Sequence, residues 1–207
     1  KNFGMYPEDF NKEEFNKFIE QTLVDNTDKT TKGIFAPWAI YKEDITSIGM
    51  HDEYFHSYHE DSDIFNRFIL SNYDIIQSWE AYVYHLTCRG GQFQDGIEKV
   101  TDDPFFHNMK SKAMRNYLRK WGSWIKNDEY QYPIIPSKYN IAYVVRNCNL
   151  PLLEALEPWC DRIYVDEVFT IGRMQDYIEM EQANTKFDLS KRVLTIKNND
   201  PLAENDI

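Results

Sequence analysis

The chain has 207 residues, 42% of them hydrophobic and 15% aromatic, which is enough to bury the core of one large domain or two small ones. It carries 34 acidic and 23 basic residues, so its formal charge is −11 at pH 7. This acidic excess disfavours binding to nucleic-acid phosphates and to anionic membrane surfaces. No apolar run approaches the length of a membrane span. Three cysteines without a CxxC spacing favour reduced thiols, and we therefore expect a cytoplasmic protein with no nucleic-acid partner.

In the first part of the chain, the helical spacing of apolar residues predicts three helices. The first covers residues 8–24. The second is short, covers residues 45–48 and ends at Gly49, because glycine readily adopts the left-handed conformation that closes a helix. The third covers residues 61–70, and its first turn is acidic, where the positive end of the helix dipole favours carboxylates.

Two strands are predicted in the same part of the chain. Residues 33–41 form an apolar run that is interrupted by a proline. Residues 81–86 alternate with a period of two, which places Ala81, Val83 and His85 on one face of a strand. This pattern predicts that a histidine and two aliphatic residues share one side of the strand.

A polar stretch with two prolines at residues 127–137 predicts a boundary that divides the chain into 1–131 and 132–207. The second part alternates strands and helices, a pattern typical of a small parallel α/β sheet. Its predicted elements are strands at 141–145, 162–166 and 192–196 and helices at 152–159 and 173–184. We expect this module to be cut short, because eleven residues follow its last strand.

The densest group of titratable residues lies between His51 and Asp63, where three histidines and five acids occur within thirteen residues. One interpretation is a metal-dependent hydrolase that binds its metal through His51, His56 and His59. Their H-x4-H-x2-H spacing matches neither the H-E-x-x-H motif nor a zinc-finger pattern. The spacing therefore leaves the hydrolase as an open alternative.

A second interpretation centres on Glu60 and Asp61, which open a predicted helix. Backbone N–H groups at a helix start favour an ionised carboxylate, and such a carboxylate suits a general base that takes a proton from a sugar hydroxyl. A helix of about ten residues rises ~15 Å, and the turn and strand that follow are long enough to bring His85 back to the level of the helix start. Arg89, followed by two glycines, is typical of a mobile loop over a phosphate-bearing ligand.

Four motifs in chain order between residues 33 and 93 resemble the acceptor-side half of family 2 glycosyltransferases, which have the GT-A fold. They are the strand-like segment 33–41, the short helix 45–48 with the turn 49–55 (GMHDEYF), the helix start 60–63 (EDSD), and the aromatic–histidine pair of Tyr84 and His85. The turn of the family reads GGFDE followed by an aromatic residue. Met50 and His51 stand in place of its second glycine and its phenylalanine.

The resemblance implies a transferase that moves a sugar from a nucleotide-sugar donor to a hydroxyl of a glycan or another acceptor. It implies Asp61 as the catalytic base and Glu60 as the residue that orients the site. It further implies that His85 helps to hold a Mn²⁺ or Mg²⁺ ion and that Arg89 closes over the donor diphosphate. The acceptor-binding residues that it implies are Trp38, Asp52 and Glu53, with Trp38 stacked on the apolar face of a sugar.

The family binds its nucleotide through an N-terminal half that ends in an Asp-x-Asp metal motif. Residues 1–32 are too few to hold that half, and the Asp-x-Asp at Asp61 and Asp63 already opens the predicted helix. We therefore expect a fragment, inactive in isolation: an incomplete GT-A half at 1–131 and a small α/β module at 132–207. A non-catalytic carbohydrate-binding or assembly module stays open beside the transferase and the hydrolase.

Overall fold

The computed structural model of the chain describes residues 1–33, 37–56, 58–86, 104–166 and 171–196. Within these ranges the protein is a mixed α/β structure with small sheets, one antiparallel and one parallel. The predicted α/β class is therefore confirmed at this level. None of the described helices combines the length and the apolar character that a bilayer span needs.

The first part of the chain is mostly helical. Its elements, in chain order, are α1 (Lys12–Asp25), β1 (Thr30–Lys32), α2 (Lys42–Ser47), α3 (Glu60–Leu70) and β2 (Ile76–Ser78). Strands β1 and β2 pair antiparallel. The helices predicted at 8–24, 45–48 and 61–70 are confirmed at slightly shifted bounds, and α2 is followed by Gly49, whose φ is 91°.

The rest of the chain consists of one long helix, α4 (Pro104–Trp121), and a parallel sheet with its helices. The elements of the sheet module are β3 (Ala142–Val145), α5 (Leu150–Leu156), β4 (Arg162–Asp166), α6 (Ile171–Gln182) and β5 (Val193–Ile196). The strands pair in the order β3–β4–β5, all parallel. Helix α5 begins where the Asn149 side chain accepts a hydrogen bond from the Leu152 backbone N–H at 2.9 Å, with Pro151 in the first turn. The strands and helices predicted between 141 and 196 are confirmed.

The core of this module lies between the sheet and helices α5 and α6. Its most buried members are Leu153, Ile163, Val165, Tyr177 and Val193. Because alternate residues of a strand point to opposite faces, Ile163 and Val165 share the covered face of β4. Cys148 and Cys160 are reduced and buried beside this core, as predicted for these two thiols, whereas Cys88 lies outside the described residues.

The apolar pattern of the sequence does not predict helix α4. Its buried residues include Arg115, Asn116 and Arg119, so polar side chains interrupt the apolar stripe by which a helix is recognised. Arg115 pairs with Glu181 at 2.8 Å, and Arg119 pairs with Glu157 at 2.6 Å. These ion pairs join residues on either side of the predicted division between 131 and 132.

The strand predicted at 81–86 is wrong, because the structure has no strand there. Burial along this segment nevertheless alternates: Tyr84 is half-buried and donates from its hydroxyl to the Gly4 carbonyl at 2.6 Å, while Val83 and His85 are exposed. The segment thus keeps the alternation of a strand without a described partner for a hydrogen-bond ladder. In the other predicted strand, residues 34–36 lie outside the described residues, and 37–41 are not strand.

Candidate functional site

A strained turn leads into α3. Tyr58 and His59 have φ values of 73° and 66°, in the left-handed region that non-glycine residues rarely adopt. Residues held in such conformations cost about 1–3 kcal/mol each and cluster at active sites and ligand clamps. The turn delivers Glu60 and Asp61 to the first two positions of the helix, where the helix dipole favours negative charge.

The two carboxylates at this helix start have different surroundings. Asp61 is exposed, so its oxygens can reach a solute. Glu60 is half-buried, and its Oε2 atom is shielded from solvent without a hydrogen-bond partner among the described residues. Burial and the negative charge of Glu60 raise the pKa of the nearby Tyr58 phenol. The accessible carboxylate is thus the predicted base, and the shielded one is the predicted orienting residue.

Asp63 fastens the first turn of α3 to its neighbours. Its side chain is 1% exposed, and its Oδ1 atom lies 2.6 Å from the Lys120 ammonium and accepts from the Trp121 indole N–H at 3.0 Å. Its Oδ2 atom accepts from Arg67 Nε at 3.0 Å. Arg67 also donates to the Ile48 carbonyl at 2.6 Å. The buried side of this turn is therefore tied both to α4 and to the end of α2.

Asp52, in the loop between α2 and α3, is paired with two lysines. Its Oδ2 atom lies 2.8 Å from Lys120 Nζ and 2.9 Å from Lys186 Nζ, and its Oδ1 atom accepts from the Tyr54 backbone N–H at 3.3 Å. Burial alone raises the pKa of Asp52, but the hydrogen bonds and charges of the two ammonium groups outweigh it and lower that pKa to about 2. Both oxygens of Asp52 thus have partners within the protein, whereas the neighbouring Glu53 is exposed.

The three histidines of this region do not form a metal site. His51 and His56 are exposed, and the ring of His59 packs against Tyr117 with 5.5 Å between centroids. Burial, together with the positive charge of Lys110, lowers the pKa of His59. In the described ranges, no three His, Cys, Asp or Glu side chains are arranged to hold a metal ion. These residues therefore give the hydrolase interpretation no support.

Trp38 packs on α3 through an edge-on contact with Phe65, with 5.9 Å between ring centroids. It is half-buried, so part of the indole remains accessible for stacking. His85 is exposed on the same side of its segment as Val83. Arg89 lies outside the described residues.

A small cavity lies between the loop of Asp52 and helix α4. It is lined by Tyr54, His56, Met109, Lys112, Ala113 and Asn184 and has a volume of about 30 Å³. A cavity of this size holds a water molecule or two. It is therefore too small for a sugar ring, and the side chains of this region that can contact a ligand are those on the surface.

Sequence reasoning misses Lys120, Trp121 and Lys186, which are the partners of the buried acidic residues Asp52 and Asp63. Lys120 is separated from Asp52 by 68 positions, and Lys186 is separated from it by 134. Pairs at such separations leave no spacing signal in the sequence. The available signal is indirect, since an acidic cluster that folds without self-repulsion needs cations from elsewhere in the chain.

Comparison with known proteins assigns no family to the chain. No family model, curated protein or solved structure matches it. The link to glycosyltransferases therefore consists of the motifs at residues 33–93. A functional proposal must depend on those motifs and on the geometry around α3.

Proposed function

We propose that the chain is the acceptor-side part of an inverting glycosyltransferase with a GT-A-like fold, in which Asp61 is the general base. The donor is a nucleotide sugar, and the acceptor is a hydroxyl of a glycan or another hydroxyl-bearing molecule. The proposal assigns the donor-binding half to sequence outside the described residues and concerns the acceptor side alone.

One observation supports this proposal above the others: the exposed carboxylate of Asp61 lies in a helix turn that buried ion pairs hold in place. Asp63, Lys120 and Arg67 fix the turn that carries it, and the strained residue His59 directly precedes the Glu60–Asp61 pair. A general base needs an accessible oxygen in a fixed place. The geometry supports a base at this position, and the motif resemblance supplies the sugar chemistry.

In the proposed reaction, the acceptor hydroxyl donates a hydrogen bond to Asp61. Its oxygen then bonds to the anomeric carbon of the donor, the bond from that carbon to the diphosphate oxygen breaks, and the hydroxyl proton moves to the Asp61 carboxylate. The products are the glycosylated acceptor and the nucleoside diphosphate, and Asp61 afterwards returns its proton to water. Trp38, Asp52 and Glu53 are the proposed acceptor contacts, and Glu60 maintains the orientation of the turn. Asp52 also has both carboxylate oxygens bonded within the protein.

The resemblance also implies Mn²⁺ or Mg²⁺, which would neutralise charge on the leaving diphosphate. The described residues do not supply a complete site for such an ion, because no three potential ligands converge among them. The steps assigned above to Asp61 therefore use no metal. A divalent ion in the complete enzyme would depend on ligands beyond those described.

Asp61→Asn tests the proposed base directly. The variant keeps the size of the side chain but cannot accept the proton, so kcat for transfer should fall at least ~100-fold. The fold should be retained, because Asp61 is exposed. The measurement is steady-state transfer by the complete enzyme from a panel of nucleotide sugars to oligosaccharide acceptors, with thermal melting as the check on folding.

Glu43→Gln is a matched control for this substitution. Glu43 is an exposed acid in the first turn of α2, so the variant loses one charge at an equivalent place on another helix and should keep wild-type turnover. Substantial turnover in Asp61→Asn would refute the assignment of the base. Absence of transfer by the complete wild-type enzyme with every donor would refute the transferase itself.

A non-catalytic carbohydrate-binding module is the second candidate, and an exposed tryptophan beside a half-buried one favours it. Trp124 is 48% exposed and meets Trp159 edge-on, with 5.3 Å between centroids. Exposed indole rings offer an apolar face to sugar rings. This function requires glycan binding by the isolated chain that depends on neither nucleotide nor metal, and calorimetry with oligosaccharides distinguishes it from the transferase.

A further inference from the structure

We propose that Lys120 is a positioning residue for the Asp61 base. The inference rests on the proposed transferase function and adds to it a residue outside the segment that resembles the family. Lys120 fastens the loop of Asp52 to the first turn of α3. It thereby holds Asp61 and an acceptor bound beside Glu53 in reactive geometry, without touching the acceptor itself.

The ammonium group of Lys120 bridges carboxylates from two different segments. It lies 2.8 Å from Oδ2 of Asp52 in the loop and 2.6 Å from Oδ1 of Asp63 in α3. The Lys120 side chain is 15% exposed, and those of Asp52 and Asp63 are 7% and 1% exposed. Water therefore competes little for these contacts, and separating the loop from α3 requires breaking one of them.

Lys120 can act as a fixed point because α4 is itself anchored on both sides. The preceding residue, Arg119, is fully buried and pairs with Glu157 at 2.6 Å and with Glu181 at 2.9 Å. The following residue, Trp121, donates its indole N–H to Asp63. The backbone at Lys120 is thus held between Asp63 of α3 on one side and the buried Glu157 and Glu181 on the other, which limits the range of its ammonium group.

Lys186 is a natural comparison for Lys120, because it pairs with Asp52 but does not connect Asp52 to Asp63 of α3. It contacts the same oxygen of Asp52, at 2.9 Å, but its side chain is 45% exposed, and Asp52 is its ion-pair partner among the described residues. Exposed ion pairs contribute little to stability. Lys186 therefore matches Lys120 in residue type and in its Asp52 partner, and it differs in having no ion pair with α3 among the described residues.

Three backbone amides of the chain report on this arrangement by hydrogen exchange. The Asp63 amide donates to the His59 carbonyl at 2.9 Å and reports on the first turn of α3. The Phe55 amide donates to the Asp52 carbonyl at 3.0 Å and reports on the loop. The Ile163 amide, bonded within the parallel sheet at 2.7 Å, reports on the fold as a whole.

The first experiment compares Lys120→Met and Lys186→Met by hydrogen exchange of the chain. In Lys120→Met, the Asp63 and Phe55 amides should exchange at least ~10-fold faster, while the Ile163 amide keeps its rate. In Lys186→Met, all three rates should change by less than about 3-fold, because the bridge to α3 remains. This readout is independent of catalytic activity.

The second experiment measures transfer by the complete enzyme. A positioning role predicts that Lys120→Met lowers kcat by about 10- to 100-fold and changes the acceptor KM by less than about 3-fold, because misplacement of the base affects the reacting geometry more than binding. Lys120→Arg keeps the charge and should recover most of the lost kcat. A residue needed for folding alone would not lower kcat while leaving the acceptor KM nearly unchanged.

Each other outcome overturns the proposal in a recognisable way. Unchanged exchange at the Asp63 and Phe55 amides in Lys120→Met would show that Lys120 does not hold the loop of Asp52 to α3. Faster exchange at Ile163 as well would show a general loss of stability, and local loosening with unchanged kcat would remove the link to Asp61. If the complete wild-type enzyme transfers no sugar, the proposed function fails and the positioning role fails with it, whatever the exchange rates.

Discussion

Helix α4 separates two sets of ion pairs that differ in their access to solvent. On the sheet side, Arg119 and Glu157 are fully buried, and Glu157 also pairs with Arg192 at 2.6 Å. On the side of α3, Lys120 joins two buried carboxylates, but the set opens to solvent through the half-exposed Lys186. On the sheet side, the half-exposed Glu154 pairs with Arg115, one step away from the shielded Arg119–Glu157 pair. On the other face, Asp52 is a partner of Lys120 and pairs directly with a half-exposed lysine.

The difference between the two faces indicates a difference in role. Charges withdrawn completely from water are costly unless they are paired, so removing one member of a shielded pair leaves its partner with less compensation and no water to replace it. Where water reaches part of a network, as it does at Lys186, it reduces the loss. We therefore expect the sheet side to determine global stability and the α3 side to determine the local geometry around Asp61.

Arg119→Met should have the largest effect on stability. It leaves Glu157 and Glu181 without one of their cations inside the protein, so the free energy of unfolding should fall by about 3 kcal/mol. Urea denaturation followed by tryptophan fluorescence measures this loss. Arg173→Met removes an exposed arginine of α6 and should change the same quantity by less than about 0.5 kcal/mol. Equal losses in the two variants would contradict the comparison.

Asp52 should make the free energy of unfolding depend on pH in the acidic range, and the expected effect is smaller than that of Arg119→Met. Its pKa is lowered from 3.8 to about 2, so the unfolded chain binds this proton more tightly than the folded protein does. The resulting stabilisation, of about 2 kcal/mol, is present above the unfolded pKa and is lost as the pH falls through the folded pKa. Unfolding free energies between about pH 5 and about pH 2 should therefore decline less steeply in Asp52→Asn than in the wild type.

The sheet side also contributes to the total acid dependence. Burial raises the pKa of Glu181, but hydrogen bonds and charges from Arg115 and Arg119 outweigh it and leave that pKa lowered. The informative quantity is therefore the difference between the wild type and Asp52→Asn. Glu53→Gln, at the exposed neighbouring position, should keep the wild-type slope, and identical slopes in all three proteins would refute the role of Asp52.

The parallel sheet could be predicted from the sequence because its signals are local. Apolar runs at 141–145, 162–166 and 192–196 are separated by segments of helical spacing, and that alternation suffices for a parallel sheet. Segment 81–86 has strand-like alternation too, but a strand also needs a hydrogen-bonded neighbour. Tyr84 instead stacks on Phe10, with 5.1 Å between ring centroids. Local pattern alone cannot supply that missing partner.

In the candidate site, too, the features with local sequence signals could be predicted and the contacts between distant residues could not. The helix start at Glu60 and Asp61 could be predicted, because acids in a first turn follow from the helix dipole. The support beneath it could not, because Lys120 comes from a helix whose buried arginines resemble surface residues in any hydrophobicity pattern. The GT-A relationship and the roles of Trp38, Asp61 and His85 stay predictions.

Tyr177→Phe should have the smallest effect on the free energy of unfolding, and it tests the contribution of a hydrogen bond to the buried ion pair of Arg119 and Glu157. The Tyr177 hydroxyl donates to Glu157 Oε2 at 3.0 Å and accepts from Arg119 Nη2 at 3.2 Å. Burial together with the charge of Glu157 raises the pKa of Tyr177 further above neutral pH. Tyr177→Phe removes this hydroxyl and leaves the ion pair at 2.6 Å in place. The free energy of unfolding should therefore fall by about 1.5 kcal/mol, while Tyr139→Phe, at a side chain that is 72% exposed, should leave it unchanged. A loss as large as that of Arg119→Met would contradict this order and show that the hydroxyl is as important as the arginine for the burial of Glu157.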